Sequence, residues 1–407
     1  MSRETAIPFD PTTPEQRENP FDVLALARRE QPVFYAPALD LWVVTRHDDV
    51  LAVLKDHRAF SSTGALESSS APLPPEVLAV LDEGYPEMPY IIELDPPLHD
   101  RIRGLVARAF TPRRIDSLAP RIEAIASELI DGFASHGHAE IVEAFAWPLP
   151  LRVLGELFGF PRDDLEQIHG WGNDWLLLQQ ERPLEEQLTH AKGLVALQRY
   201  CVEAVAARRT SPTDDLLGAM VAANDVAEEP LDTVEIAGLA LDLMVAGHVT
   251  VTRAIGSALH RMFSEPALRE HFLDPERAPQ AIEEILRLES PAQGLFRVTT
   301  QEVELGGAVL PEGARVMAHF ASANRDACVF ADPDAYRPGR DDIGAHLAFG
   351  KGIHFCIGAP LGRLELRIAL PMLLRRLPGL RPGRRAPVRE AVFFARGFRS
   401  LDVEWDT

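Results

Sequence analysis

Cys356 is the side chain in this sequence best placed to do chemistry. It stands in the run Phe349-Gly350-Lys351-Gly352-Ile353-His354-Phe355-Cys356-Ile357-Gly358, with three glycines in ten residues. Glycines permit tight turns and let backbone approach a flat ligand closely. Pro360 occupies a first-turn position of the helix that follows near Ala359. Cys356 therefore lies just ahead of a helix N-terminus, whose positive end favours a thiolate. A thiolate is a strong donor to ferric iron. Phe349 would shield the sulfur, and loop N–H groups would tune it. A lone cysteine beside a glycine-rich turn is more often structural, so the assignment needs support from the rest of the chain.

Three further groupings carry chemical information. Glu284 and Arg287 are three residues apart before Pro291, so on a helix they share a face and pair. His99 and Arg103 are four apart, one helical turn. Asp242 interrupts an apolar stretch about two turns before Thr250. A carboxylate there either binds an amine or hydroxyl of a ligand or is a structural group hydrogen-bonded to a neighbouring helix, as burial demands.

The elements that must position these residues are mostly helical. Residues 1–60 hold a short helix, Phe21–Glu30, and strand-like runs at 32–35 and 41–45. Residues 61–96 read as a long Ser/Pro/Gly-rich loop, a length that is usually functional or disordered. Apolar periodicity then predicts helices over 99–110, 114–135, 149–158, 163–180, 184–209, 214–223, 232–263 and 277–289. Asp232 and Glu235 have capping-box spacing at the start of the longest. Short β runs at 303–305 and 315–318 follow, and 391–405 reads as a last hairpin. No repeat or low-complexity linker divides the chain, which is expected to form one domain over 1–407.

The 407 residues carry a net charge of −20. So acidic a surface repels phosphate backbones and anionic lipid, which excludes nucleic acid and membranes as general partners. Three cysteines give no disulfide framework and point to a reducing compartment. No apolar signal segment is visible at the start, and no stretch approaches about 18 uncharged apolar residues. A cytoplasmic monomer is expected.

The cysteine run resembles the haem-binding loop of the cytochrome P450 family at Phe349, Gly350, Gly352, His354, Cys356 and Gly358. The resemblance, of the soluble bacterial type, extends over nearly the whole chain. It implies a mainly α fold with a small β region, with haem b between the long helix and the cysteine loop and last helix. It implies that Cys356 ligates iron, that His99, Arg103, Arg297 and His354 hold the propionates, and that Glu284 and Arg287 lock to Arg340. It places Ala246 and Gly247 as small residues beside the dioxygen site and Thr250 as the alcohol that hydrogen-bonds oxygen. The family usually has an acid before that threonine to relay protons; here Val249 stands there. A water chain, His248 or the substrate would then supply the proton, or the reaction is peroxide-driven or otherwise does not hydroxylate.

The resemblance also implies a monooxygenase that hydroxylates or epoxidises a hydrophobic small molecule, which bears an amine or hydroxyl if Asp242 binds it. The pocket walls would include Ile91, Ile92, Asp242, Leu243, Leu295, Phe296, Phe393 and Phe394, and 163–189 would form a lid. The chain has no reductase segment, so a separate ferredoxin and ferredoxin reductase are expected. Arg101, Arg108, Arg113, Arg114, Lys351, Arg363 and Arg367 are the candidate docking patch. A non-catalytic helper of the same fold is the remaining alternative, and the intact Cys356, Thr250 and Glu284 weigh against it.

Overall fold

A computed structural model describes residues 7–66, 73–85, 88–178, 182–390 and 392–407. The parts of the 61–96 loop, the 163–180 helix and the 391–405 hairpin at 67–72, 86–87, 179–180 and 391 lie outside the described residues. The chain forms two compact units and passes repeatedly from one to the other. The first contains Met1–Ala65, Ala126–Pro148 and Thr250–Thr407; the second contains Leu66–Ile125 and Leu149–Val249.

In the first unit a five-stranded sheet runs in the order Val33–Ala36, Leu41–Val44, Arg315–Ala318, Leu295–Thr299, Phe60–Ser61. These runs are rich in β-branched and aromatic residues, which suit a pleated, half-buried surface. Trp42 pairs in parallel with Val316, and Arg297 pairs antiparallel with the same residue. One face packs on Val50, Val53 and Leu54 of the helix His47–Lys55 and on Phe320 and Leu347. That helix was not anticipated from the sequence. The predicted hairpin over 391–405 does not form. Phe398–Ser400 pairs instead with Val388–Arg389, while Asp402–Glu404 pairs with His138–Glu140 and Arg381–Pro382. Alternating apolar residues announce strands but do not choose their partners.

The second unit is helical. Its helices include Leu98–Ala109, Leu165–Leu178, Leu184–Thr210 and Leu216–Asp225. The expected helix over 114–135 is two helices, Pro112–Ser117 and Ala119–Asp131, broken at Leu118. Pro120 fits only the first turn of a helix, so it restarts one there. The long loop contains a helix, Pro75–Leu81, and a 3₁₀ turn, Ile91–Glu93.

The longest helix, Thr233–Ser264, begins in the second unit and ends in the first. Its capping box is closed in both directions. Asp232 N–H donates to Glu235 Oε2 at 2.7 Å, and Glu235 N–H donates to Asp232 Oδ1 at 2.8 Å. The helix is long and apolar enough to cross a bilayer, yet 61% of its most apolar window is buried inside the protein. It is a core helix.

Candidate active site

The cysteine loop belongs to the first unit. Gly350 and Gly352 have φ of +68° and +74°, a region that favours glycine. A Cβ on Gly352 would also strike the carbonyl oxygen of Leu54. These turns bring Cys356 N–H to Phe349 O at 2.9 Å. A Cβ on Gly358 would sit 3.8 Å from Cys356 Sγ. The helix Ala359–Arg376 starts three residues after the cysteine. Cys356 is partly accessible, whereas Cys201 is buried and its thiol is pushed up to about 12 by that burial. Of these two, only Cys356 has surroundings that suit a thiolate ligand.

Phe349 has two basic side chains as ring neighbours. The Arg363 guanidinium lies 4.3 Å from its ring centroid, and the His346 ring stands at 6.1 Å. Glu283 ties both side chains in place, accepting from Arg363 Nε at 2.6 Å and pairing with His346 Nε2 at 2.9 Å. Burial alone would raise the Glu283 carboxyl; the hydrogen bonds from Arg363 and His346 outweigh it and hold it at about 2. Sequence reading missed this support, whose members lie 63 and 80 residues apart.

Glu284 and Arg287 are fully buried and form a two-pronged pair, at 2.8 Å on each prong. Arg340 Nε donates to Glu284 Oε1 at 3.1 Å, and Arg337 N–H donates to the same atom at 2.9 Å. Arg287 also donates to the carbonyls of Asn324 (2.6 Å) and Pro333 (2.7 Å). From Asn324 the side chain continues to Leu347 N–H (2.6 Å) and Ser290 Oγ (2.9 Å). The ion pair thus braces the strand of chain that leads into the cysteine loop.

Other predicted residues of this unit are placed as follows. His354 Nε2 is 2.9 Å from Ser62 Oγ. Arg297 is buried in its strand and donates from Nη1 to Phe296 O at 2.6 Å. Phe296, Phe393 and Phe394 form an aromatic cluster with centroids 5.7 to 6.0 Å apart, next to Leu295 on the same strand. Thr250 is half-buried on the long helix, and Gly362 of the cysteine helix faces the next residue: a Cβ there would lie 3.6 Å from Val251 Cγ2.

In the second unit, Asp242 is 6% exposed and accepts from Ile92 N–H at 3.4 Å. Burial raises its carboxyl to about 7, against the opposing pull of the Ile92 and Ile91 N–H groups; Glu93 adds a further push upward. Leu243, Ile91 and Ile92 are half-buried, and Ala246 is exposed. Gly247 serves a close helix contact, because a Cβ there would meet Leu154 at 3.1 Å. His248 lies edge-on to His169 of the helix Leu165–Leu178, with centroids 5.2 Å apart. His99 is buried with Nδ1 2.9 Å from Asp100, and Arg103 is half-buried one turn along. Two of the arginines in the candidate docking patch are already ion-paired here, Arg101 with Glu229 and Arg114 with Asp214, as Arg363 is in the first unit.

With this geometry in place, comparison with known proteins defines the class. A model of the family Cytochrome P450 matches residues 278–384. Cytochrome P450 107B1 of Saccharopolyspora erythraea is 38% identical over 92% of this chain and 90% of its own. Mycinamicin IV hydroxylase/epoxidase of Micromonospora griseorubida is also 38% identical, covering 84% of each chain. The solved P450 heme domain of Tepidiphilus thermophilus superposes with a TM-score of 0.91 at 31% identity, over 98% of this chain and 97% of that one. The chain belongs to the cytochrome P450 family. It has the family's fold, mainly α with small β regions, and is a monooxygenase, an oxidoreductase whose cofactor is haem. Bacterial members act on hydrophobic substrates and receive electrons from separate redox partners.

Proposed function

We propose that the protein works as a single catalytic domain in the cytoplasm, a monomer that hydroxylates or epoxidises a hydrophobic small molecule of secondary metabolism, with Cys356 as the iron ligand. The observation that carries this reading is the cysteine loop. Two left-handed glycines and a backbone hydrogen bond hold a partly accessible thiol just ahead of a helix N-terminus. That donor set fits haem. Phe349, Gly350 and Gly358 shape the approach to the sulfur. His99, Arg103, Arg297 and His354 are the proposed propionate partners; arginine suits this through its forked donors.

Bound haem supplies the activation of dioxygen, one atom of which goes to the substrate while the other leaves as water, with two electrons and two protons consumed. The protein manages the protons. Thr250 holds one on its hydroxyl and can pass it on, while Ala246 leaves open space on the same helix. Val249 has no proton to give. His248 stands two residues before Thr250, so it faces another side of the helix and meets His169 instead. Water, or a hydroxyl of the substrate, is then the proton source.

Ile91, Ile92, Leu243, Leu295, Phe296, Phe393 and Phe394 are the proposed apolar contacts of the substrate. Asp242 spends one acceptor position on Ile92, and a carboxylate has others for an amine or hydroxyl of the substrate. A ferredoxin and its reductase supply the electrons. Glu284, Arg287 and Arg340 act as folding support. The valine at 249 favours one second reading, a peroxide-driven oxidation. Cys356→Ala in haem-loaded protein tests the assignment: the thiolate-type spectrum of the carbon monoxide complex and turnover should both vanish. A folded variant that retains that spectrum would overturn it. Product formation from hydrogen peroxide alone, without redox partners, would establish the second reading.

A further inference from the structure

A recess in the first unit gathers guanidinium groups that the catalytic reading does not use. Its cavity of about 30 Å³ is lined by Arg17, Arg389 and Arg396 together with Gln293, His319 and Phe393. The three arginines come from opposite ends of the chain. Arg17 lies on the short helix Pro14–Glu18, Arg389 on the strand Val388–Arg389, and Arg396 on the segment that precedes Phe398–Ser400.

Their hydrogen bonding is incomplete. Arg396 is 8% exposed; its Nη1 and Nη2 donate to the carbonyls of Arg17 and Glu18 at 3.2 and 3.0 Å, and its Nε has no acceptor. Arg389 has a side chain only 10% exposed, with neither Nε nor Nη1 in a hydrogen bond, although Glu18 Oε2 lies 2.9 Å from Nε. Arg17 donates from Nη2 to Thr12 O at 2.8 Å, and its buried Nε is unused. Buried polar groups in native proteins are nearly always satisfied, so four unmet guanidinium N–H positions around one cavity require explanation.

Three carboxylates, Glu18, Glu289 and Glu390, stand near the three arginines, with Glu289 Oε2 3.9 Å from Arg396 Nε, so the fixed charges balance and what is unmet is the demand for hydrogen-bond acceptors. Glu390 is also the one carboxylate that acts on the buried Arg253, so part of its charge is already answered. Burial pulls Arg396 down to about 10, with Arg389 adding to the pull and Glu289 and Glu18 opposing it. A group rich in hydrogen-bond acceptors, seated in the cavity, would offer these donors partners, and guanidinium forks match carboxylate and phosphate oxygens in shape.

We propose that this recess is a binding site for a small oxyanion, a carboxylate or phosphate group. The cavity is about the size of two waters, which suits a carboxylate or the leading edge of a phosphate. Phe393 forms part of its wall and stacks edge-on with Phe296 at 5.9 Å. An anion held here therefore also fixes the segment that carries Phe393.

The test uses the haem-loaded protein at constant ionic strength, with sodium chloride exchanged for acetate in one titration and for inorganic phosphate in another. The expected result is a rise in thermal midpoint that saturates for at least one of the two probes, with half-saturation weakened at least ~10-fold in Arg389→Gln. Saturation by phosphate alone would assign the site to phosphate groups, and saturation by acetate alone to carboxylates. Phosphate also stabilises proteins non-specifically by exclusion from their surfaces. A response that rises without saturating, or is equal in wild type and variant, would overturn the proposal. Should Arg389→Gln fail to fold, Arg17→Gln removes a guanidinium from a less buried position and is judged by the same criterion.

Discussion

Glu284→Gln puts the brace beneath the cysteine loop to the test. The substitution keeps the side chain's volume and removes the negative charge that lies between two guanidiniums, Arg287 at 0% and Arg340 at 5% side-chain exposure. Four hydrogen bonds converge on this carboxylate, from Arg287 Nε, Arg287 Nη2, Arg340 Nε and Arg337 N–H. An amide offers one acceptor oxygen in place of two and points its own N–H groups at a donor. Removing one partner of a buried ion pair costs about 3–5 kcal/mol. Unfolding entropy near the midpoint is about 2.1 cal/mol/K per residue, or about 0.85 kcal/mol/K for a chain of 407 residues, so the midpoint should fall by about 4–6 °C. The assay is thermal unfolding of haem-loaded protein, followed by the haem band and by far-ultraviolet circular dichroism. Haem should be lost with, or before, helical signal, because the pair reaches the loop through Asn324 and Leu347. In the double variant Glu284→Gln, Arg287→Met no guanidinium is left at 287 to face the amide, so its cost should be less than the sum of the two singles by about 1–3 kcal/mol. A midpoint within about 1 °C of wild type in Glu284→Gln, with haem retained, would refute the reasoning.

Three further outcomes follow from the same geometry. Asp242 has its pKa raised to about 7 in the folded state, above its unfolded value, so its contribution to stability is full below about pH 4 and is lost as pH climbs through 7. Asp242→Asn keeps an acceptor for Ile92 N–H and should stabilise the protein more at pH 8 than at pH 5, by up to about 4 kcal/mol at the higher pH; thermal midpoints with an unchanged pH slope would contradict this. Val249→Glu restores an acid before Thr250 and should raise the fraction of electrons that reach product, with a rate gain of up to ~10²-fold where proton delivery is limiting; an unchanged ratio of product to reductant consumed would show that the acid is irrelevant here. Gly352→Ala forces a side chain into a left-handed conformation costing about 1–2 kcal/mol and into contact with the Leu54 carbonyl, so haem per protein should drop; full haem occupancy would argue for a more pliant loop.

What the sequence revealed depended on range. The Cys356 loop and the Asp232–Glu235 cap were legible because each is a local device: its partners lie within a few residues, and turn chemistry or cap spacing names them. Glu284 and Arg287 were legible for the same reason, being one helical turn apart. The Glu283–His346–Arg363 clasp on Phe349 was not, because nothing in a run of residues says that positions separated by 63 and 80 will meet. The arginines at 17, 389 and 396 are invisible as a group for that reason too. The mistaken hairpin at 391–405 and the unbroken helix at 114–135 are different failures. The first had the right element type and lacked partner information; the second overlooked Pro120, whose signal was present.

The long helix shows how structure sharpens what spacing leaves open. From the sequence alone, a water chain, His248 or the substrate could replace the missing acid, or the reaction could do without it. In the fold, Gly247 is committed to the approach of Leu154 and His248 to the ring of His169, so both face their own unit's helices. Val249 carries nothing to titrate, and Asp242 is two turns away and engaged with Ile92. The position that usually carries an acid in the family is therefore filled here by a side chain that cannot supply a proton. On the proposed reading the proton reaches the Thr250 hydroxyl through water or from a hydroxyl of the substrate, and in the second case the chemistry of the bound substrate becomes part of the machinery.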